Sequence, residues 1–279
     1  MTLASLEGPR DRQFADLTNV QRQLTLSRIM TPRAEFICCT SEETTQAVMA
    51  RVPTIYDAVP VVEGNDPDNV LAPVIGLLFR DRVPFQNSAA LVRNTMDTTA
   101  LDNAHPLESN LVVYIHGMTG SPIEFVDGPE GIVGLVTPYD LERLPVRTAL
   151  FAMIIDVEQA MGELINARLP DPSIWEKYIS SGLRGELSRG LRRATQNDSV
   201  GQAILSVDFK VKLDLLQHCF ERTAQVVWVT NEKDEIRELR NLVAHGAPFP
   251  NVKALPGQVR NLIRLRALIR GRIKEAVGG

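Results

Sequence analysis

The residues from Thr137 to Asp140 form the first arrangement with chemical capability. They follow an apolar run, Ile132 to Val136, and Pro138 stands where a first helical residue would. Because free backbone N–H groups at a helix start attract anions, the Thr137 hydroxyl and the Asp140 carboxylate can hold a phosphate and a ribose. The same spacing is that of a capping box, in which the two residues satisfy only the backbone. Spacing alone leaves both interpretations open.

The second arrangement is Arg240, Asn241 and His245, near the end of a helical pattern and directly before a glycine. A guanidinium can neutralise charge on a scissile phosphate, and an imidazole can move or orient the proton of a 2′-hydroxyl. These residues therefore predict an RNA-cleaving site that needs no metal. In the alternative, His245 caps the last carbonyls of the helix. Arg240 then forms a surface pair with Glu235 or Glu238.

Other polar side chains are weaker candidates. Arg143 and Arg147 can meet phosphates or can lie on a solvated helix face. His218 and Cys219 fall in an apolar helical pattern, where a core position is expected because no partner for a nucleophile is evident. The basic last pattern, 258–277, either binds RNA phosphates or exposes an ordinary solvated face. The remaining isolated side chains are expected to serve packing: His105, His116, Trp175 and Trp228.

Charge divides the chain into two halves. Residues 1–170 contain 12 Arg and no Lys against 22 acidic residues, a net of −10, whereas residues 171–279 carry +6. The charge asymmetry suggests that the two halves have different functions, although two ordinary soluble domains could also differ in charge by this much. The three cysteines, two of them adjacent, fit neither a disulfide framework nor a metal-ligand spacing. With no long apolar run, a cytoplasmic protein without a membrane segment is expected.

The acidic half repeats itself. The run Val59 to Val62 ends in a turn cluster, and Val74 to Leu78 follows. A similar succession occurs from Ser121 to Val126 and from Ile132 to Val136. Gly134 lies 58 residues after Gly76 and Pro122 lies 62 residues after Pro60. A helix precedes each pair of strands. The first is predicted from a capping box at Thr40 and Glu43 to about Ala50, and the second from helical spacing between Leu107 and Met118.

These landmarks resemble a tandem pair of CBS repeats, the Bateman-type module. The sequence Ile29-Met30-Thr31-Pro32 is similar to the opening of such a repeat, Val59 to Val62 to its buried strand, and Gly134 to Leu141 to its closing strand and helix start. The resemblance implies repeats at 24–92 and 93–146 after an N-terminal extension, 1–23. It also implies an adenosine-type regulatory ligand such as AMP, ADP or ATP, with S-adenosylmethionine and cyclic dinucleotides also open.

In this resemblance the ligand-binding residues are Gly134, Thr137, Asp140 and Pro122. The first repeat departs from the pattern, because Phe79 stands where Thr is expected and Asp81 sits one position early. At most one well-formed site per chain is therefore expected.

After about Pro145 the pattern becomes helical. Helices are predicted at 148–168, 174–193, 207–229, 231–245 and 258–277, with breakers that include Asn197 to Ser199. An all-helical domain, 147–279, with the Arg240 to His245 motif resembles the HEPN family. That resemblance implies a metal-independent endoribonuclease or a non-catalytic RNA or nucleotide binder. Both resemblances imply a homodimer.

The predicted fold class is α+β, with tandem α/β repeats followed by a helical bundle. The predicted function is a nucleotide-sensing CBS module that controls a HEPN-type ribonuclease. The alternative is a non-enzymatic sensor whose helical domain binds RNA or a protein partner. A purely structural dimerisation module is the third hypothesis.

Overall fold

The computed structural model describes residues 19–20, 22–83, 89–196, 200–220 and 224–277. Most of the predicted extension 1–23 and the predicted breaker Asn197 to Ser199 lie outside these ranges. The chain divides into two compact units, one from Arg22 to Val146 and the other from Arg147 onward. Each unit is described by itself below.

The first unit contains two small sheets and two short helices. The elements are β1 Thr31–Pro32, β2 Cys39–Thr40, α1 Thr45–Arg51, β3 Ala58–Val62, β4 Val74–Phe79, β5 His105–Pro106, α2 Leu111–Gly117, β6 Glu124–Gly128 and β7 Gly131–Val136. One sheet has the strand order β2-β3-β4 and the other the order β1-β7-β6-β5. β2 runs parallel to β3 and β5 runs parallel to β6, whereas the other pairs are antiparallel.

Both short helices begin at a polar cap. Thr44 Oγ1 accepts a hydrogen bond from the Ala47 N–H at 3.3 Å, and Asn110 caps α2 in the same way. The predicted start of α1 at Thr40 is wrong by several residues. Glu43 does accept a hydrogen bond from the Thr40 N–H at 2.7 Å, but this contact closes the turn before the helix.

The strand registers show how the two repeats correspond. Leu77 pairs with Pro60 in the first repeat, and its counterpart Leu135 pairs with Phe125 in the second. Phe125 is therefore the counterpart of Pro60, which makes the offset 65. The predicted offset of 62, to Pro122, is wrong because Pro122 lies in a bend before β6. The offset of 58 between the two glycines holds.

The core of the first unit covers both faces of β3, all five of whose residues are buried. Val59 and Val61 pack with Val48 and Val52 near α1. Ala58 and Val62 belong instead to a cluster with residues of the second sheet, including Phe125 and Leu135. A continuous apolar run is the expected pattern for a strand that is buried on both faces.

The described part of the chain after Val136 contains helices and no strand, which confirms the predicted α+β organisation. Short 3₁₀ turns connect the helices at 172–177, 181–183, 200–206 and 252–254. None of the described helices is long and apolar enough to cross a bilayer. The helices are α3 Leu144–Arg168, α4 Arg184–Gln196, α5 Phe209–Cys219, α6 Ala224–His245 and α7 Leu255–Val277.

Two predicted helices are wrong in extent. The segment predicted as one helix, 174–193, starts as two 3₁₀ turns because Asp171 caps the first turn and Trp175 Nε1 donates to the Leu169 carbonyl at 2.8 Å. The predicted helix 207–229 ends at Cys219, where Phe220 turns to extended backbone. α6 then continues through the predicted break before Asn231.

Candidate functional site

The turn after β7 holds its acidic side chain in a network. Thr137 is the cap of a 3₁₀ turn, Pro138–Glu142, and Asp140 Oδ2 accepts hydrogen bonds from Thr137 N at 2.8 Å and from Thr137 Oγ1 at 2.9 Å. Arg143 Nη2 lies 2.8 Å from Asp140 Oδ1. The Asp140 side chain is only 7% exposed. Thr137 and Asp140 therefore form the capping box that their spacing in the sequence allowed.

The capping contacts leave some binding capacity. An ionised carboxylate offers about four acceptor positions, and the contacts to Thr137 and Arg143 use three of them. Asp140 can therefore accept roughly one more hydroxyl donor. Tyr139, between Thr137 and Asp140, is 86% exposed.

Gly134 has a packing role next to this turn. A Cβ atom at Gly134 would lie 2.6 Å from Met30 Sδ and 2.9 Å from the Thr31 carbonyl oxygen. The glycine thus permits β1 to pair with β7, with Thr31 opposite Leu135. Its assignment as a ligand contact stays a prediction. The same is true of Pro122, which is half-buried in the bend before β6.

The first repeat presents different chemistry at the corresponding place. Phe79 caps a 3₁₀ turn as Thr137 does, and Arg82 occupies the position of Asp140. The Arg82 guanidinium lies 4.1 Å from the centre of the Phe79 ring and 2.7 Å from Asp97. Asp97 forms an antiparallel β-bridge with Leu77, in the same way that Thr31 pairs with Leu135 in the second repeat. A solvent-exposed ion pair between Arg82 and Asp97 therefore occupies the positions that Asp140 and Thr31 hold in the second repeat.

A hydrogen-bonded pair of His105 and the buried Glu124 in the second repeat escaped the sequence prediction. His105 Nε2 lies 3.0 Å from Glu124 Oε2, and Thr119 donates to Glu124 Oε1 from its amide at 2.9 Å and its hydroxyl at 3.0 Å. Burial raises the pKa of the Glu124 carboxyl, but the hydrogen bonds from His105 and Thr119 outweigh burial and hold that pKa below its ordinary value. The signal in the sequence was a lone acid within the apolar run Ile123 to Val126.

Tyr114 lies beside this pair, with its ring 4.9 Å from the His105 ring in an edge-on arrangement. Its buried hydroxyl has no hydrogen-bond partner among the described residues. Burial and the Glu124 carboxylate raise the pKa of Tyr114. The counterparts of His105 and Glu124 in the first repeat are Cys39 and Val59, both buried. The polar cluster is therefore a property of the second repeat.

The structure places the Arg240 motif at the end of α6. The helix closes in a Schellman motif, because Gly246 adopts φ +66° and the Ala247 N–H donates to the Leu242 carbonyl at 3.1 Å. His245 is the last helical residue and is exposed. The described residues give it no hydrogen-bond or ion-pair partner.

The Arg240 side chain is half-buried and contacts Asn241 and Phe209. Its Nη1 donates to Asn241 Oδ1 at 3.3 Å, and its guanidinium lies 6.0 Å from the centre of the Phe209 ring. Across the described ranges, no ion pair joins Arg240 to Glu235 or Glu238. Five positions on an α-helix turn through about 140°, so Arg240 and His245 point to different sides of α6.

Two arginines expected on a solvated face have specific partners instead. Arg143 holds Asp140, as described above. Arg147 Nη1 donates to the Ala247 carbonyl at 2.8 Å, and its guanidinium lies 4.6 Å from the centre of the Phe249 ring. Arg147 therefore anchors the segment that follows His245.

The basic side chains of α7 are largely engaged within the helical unit. Arg266 and Arg270 both bind the buried Asp156 of α3, and Arg270 also lies 3.0 Å from Glu163. Arg264 stacks over the Trp228 ring at 4.4 Å. These contacts favour a structural role for the last helix.

His218 and Cys219 do not form a catalytic pair. The His218 ring lies 4.9 Å from the Tyr178 ring, and Cys219 Sγ contacts the Leu215 carbonyl at 3.5 Å. Burial raises the pKa of the Cys219 thiol to about 12. The three cysteines are free and buried.

No protein-family model matches the chain, and no curated protein matches it in sequence. Solved structures are similar to part of it. The CBS domain of a bacterial CNNM/CorC family Mg²⁺ transporter, in complex with ATP, has 17% identity and a TM-score of 0.37, and the match covers 51% of this chain and 98% of that one. A hemolysin-like protein containing a CBS domain, from Oenococcus oeni, has 19% identity and a TM-score of 0.35, with coverage of 46% and 94%.

The CBS domains of a transcriptional regulator from Streptococcus pneumoniae are a third similar structure. Identity is 15%, the TM-score is 0.35, and coverage is 42% of this chain and 95% of that one. About half of the chain is thus similar to CBS-domain structures. With TM-scores below 0.5, the likeness decides nothing about the ligand or partner of this chain.

Proposed function

We propose that the first unit is a CBS-type sensor with one adenosine-nucleotide site, at Thr137 to Asp140, and that it regulates the helical unit. The observation that carries this proposal is the contrast between the repeats. In the second repeat Asp140 retains an acceptor position for a ribose hydroxyl, whereas in the first repeat Arg82 and Asp97 neutralise each other. Gly134 and Pro122 complete the proposed ligand contacts.

Calorimetry with AMP, ADP, ATP, S-adenosylmethionine and a cyclic dinucleotide tests this proposal. One nucleotide is expected to bind per chain. Asp140→Asn should weaken it by about tenfold or more, because the ribose loses a charged acceptor. Thr137→Ser retains the hydroxyl and is the control for Thr137→Val. Equal affinity in wild type and Asp140→Asn would reject the site.

For the helical unit, the proposed activity is metal-independent RNA cleavage by Arg240, Asn241 and His245. Arg240 holds the scissile phosphate, Asn241 places the substrate, and His245 assists the 2′-hydroxyl in its attack on phosphorus. The bond from phosphorus to the 5′-oxygen breaks, which leaves a 2′,3′-cyclic phosphate and a 5′-hydroxyl. His245 has an exposed imidazole with no partner among the described residues, and no described carboxylate pairs with Arg240; both features favour this chemistry.

Arg240 and His245 point to different sides of α6, so we assign the site to two subunits of a homodimer. A two-fold axis would bring Arg240 of one protomer near His245 of its partner. The nucleotide would regulate cleavage by binding more tightly to one arrangement of the two helical units than to the other. A monomer in light scattering at micromolar concentration would contradict this composite site.

Incubation of purified protein with labelled RNA separates the enzyme from its alternative. Cleavage that persists in EDTA and is lost in His245→Ala supports the nuclease. RNA binding without cleavage supports the non-enzymatic regulator. Cleavage unchanged in both Arg240→Ala and His245→Ala would reject these residues as the site.

A further inference from the structure

Three arginines of α4 lie on one face of the helix, and no described residue forms an ion pair with them. Arg189, Arg192 and Arg193 are all exposed, and their spacing of three and four residues places them side by side. Within the described ranges none of them has a hydrogen-bond or ion-pair partner. The one acidic residue of α4, Glu186, lies 3.7 Å from Lys210 of α5 instead.

Packing fixes this arginine face outward. Leu187, Gly190 and Ala194 form the opposite side of α4 and are buried. A Cβ atom at Gly190 would lie 2.7 Å from the Ser206 carbonyl oxygen and 3.0 Å from Val207 Cα. The helix therefore lies directly against the backbone of the 200–206 turn and cannot rotate its arginines inward.

The other arginine-rich helix offers a physical comparison. For Arg266 or Arg270 of α7 to bind an external anion, it would have to give up its ion pair with the buried Asp156, which would then keep only one of its two arginines. Arg189, Arg192 and Arg193 of α4 break no described ion pair when they bind a phosphate. Guanidinium groups also bind phosphate oxygens in a bidentate manner. Binding a polyanion therefore disrupts fewer ion pairs at these α4 arginines than at Arg266 and Arg270 of α7.

We infer that the α4 face, defined as Arg189, Arg192 and Arg193, binds the phosphodiester backbone of single-stranded RNA. The choice of RNA as the polyanion rests on the function proposed above for the helical unit. Three contacts to phosphates of a single strand contribute about 2 to the slope of log affinity against log salt concentration. The face contacts phosphates rather than bases, so it contributes affinity without sequence preference.

Fluorescence anisotropy of a labelled single-stranded RNA measures this contribution. The full chain with His245→Ala is used throughout, so that cleavage does not obscure binding. The test variant is Arg189→Gln/Arg192→Gln/Arg193→Gln, and the control is Arg168→Gln/Lys177→Gln/Arg184→Gln, which removes the same charge from other exposed positions of the unit. The test variant should bind about tenfold more weakly at low salt, with a slope smaller by about 2.

The control should retain most of the affinity. A variant with lysine at all three positions of the α4 face keeps the charge and should keep the salt dependence. Its RNA binding would show that substitution at these positions does not by itself unfold the helical unit. An equal loss in the test and control variants would show that only net charge matters and would overturn the inference. A His245→Ala chain with the α4 face intact that does not bind RNA would also overturn it. If wild-type chain binds RNA through this face but does not cleave it, the inference stands and the nuclease proposal fails.

Discussion

Arg147 Nη1 donates a hydrogen bond of 2.8 Å to the carbonyl oxygen of Ala247, 100 positions further along the chain. The same guanidinium lies over the Phe249 ring. The segment after the Schellman motif of α6 therefore depends on a side chain near the start of α3. Because His245 is the last residue of α6, this contact stabilises the backbone next to the proposed catalytic imidazole.

Arg147→Ala should lower the free energy of unfolding by about 1–3 kcal/mol, because it removes a charge-assisted hydrogen bond and a stacking contact. Hydrogen exchange should speed up at residues 246–250 and stay unchanged in α4. Arg147→Lys keeps the charge without the planar donor geometry and should fall between wild type and the alanine variant. Unchanged exchange at 246–250 would show that the contact does not hold this segment.

Gly134→Ala is expected to destabilise the first unit by about 1–3 kcal/mol, because the new methyl group meets both a side chain and the backbone of β1. Gly76→Ala should cost less, because its nearest neighbours lie at 3.1 and 3.3 Å. Gly117→Ala, with nothing within 4 Å, is the matched control. Urea unfolding ranks the three variants, and a Gly134→Ala protein as stable as the control would contradict the close approach of β1.

The ionisation of Glu124 should make the free energy of unfolding depend on pH. Its pKa in the folded chain is below the ordinary value of 4.5, so its stabilising effect is full above that value and disappears as pH falls through the lower, folded pKa. At neutral pH Glu124→Gln should cost about 2–3 kcal/mol, since His105 and Thr119 lose a charged acceptor. Urea unfolding at decreasing pH should show the difference between wild type and variant narrowing. Glu108→Gln, at an exposed position, should show no such trend.

The first repeat should gain a nucleotide site if it receives the side chains of the second. Phe79→Thr, Arg82→Asp and Asp97→Thr together remove the Arg82–Asp97 ion pair and reproduce Thr137, Asp140 and Thr31. Calorimetry of the triple variant should show about two nucleotides per chain where wild type binds one. Arg82→Asp alone should not add a site, because the new carboxylate faces Asp97. Two bound nucleotides per wild-type chain would contradict the proposal that the first repeat has no nucleotide site.

Local patterns in the sequence predicted much of the secondary structure. The apolar run Val59 to Val62 indicated a buried strand, and the glycine after His245 indicated the end of a helix, because both depend on neighbouring residues only. Thr137 and Asp140 were three positions apart, so their mutual hydrogen bonds were also foreseeable. The two-residue strands β1, β2 and β5 were not, since periodicity carries no signal over two residues.

The tertiary structure decided which distant groups meet. The sequence shows that Arg147, Arg266 and Asp156 carry charge, but it does not show that Arg147 binds a carbonyl and Arg266 binds Asp156. Such pairs depend on how the helices pack, and residue type limits the chemistry of a partner without selecting one. For the same reason, the α4 arginines and the α7 arginines look alike in sequence, and only packing leaves the first set exposed and pairs much of the second.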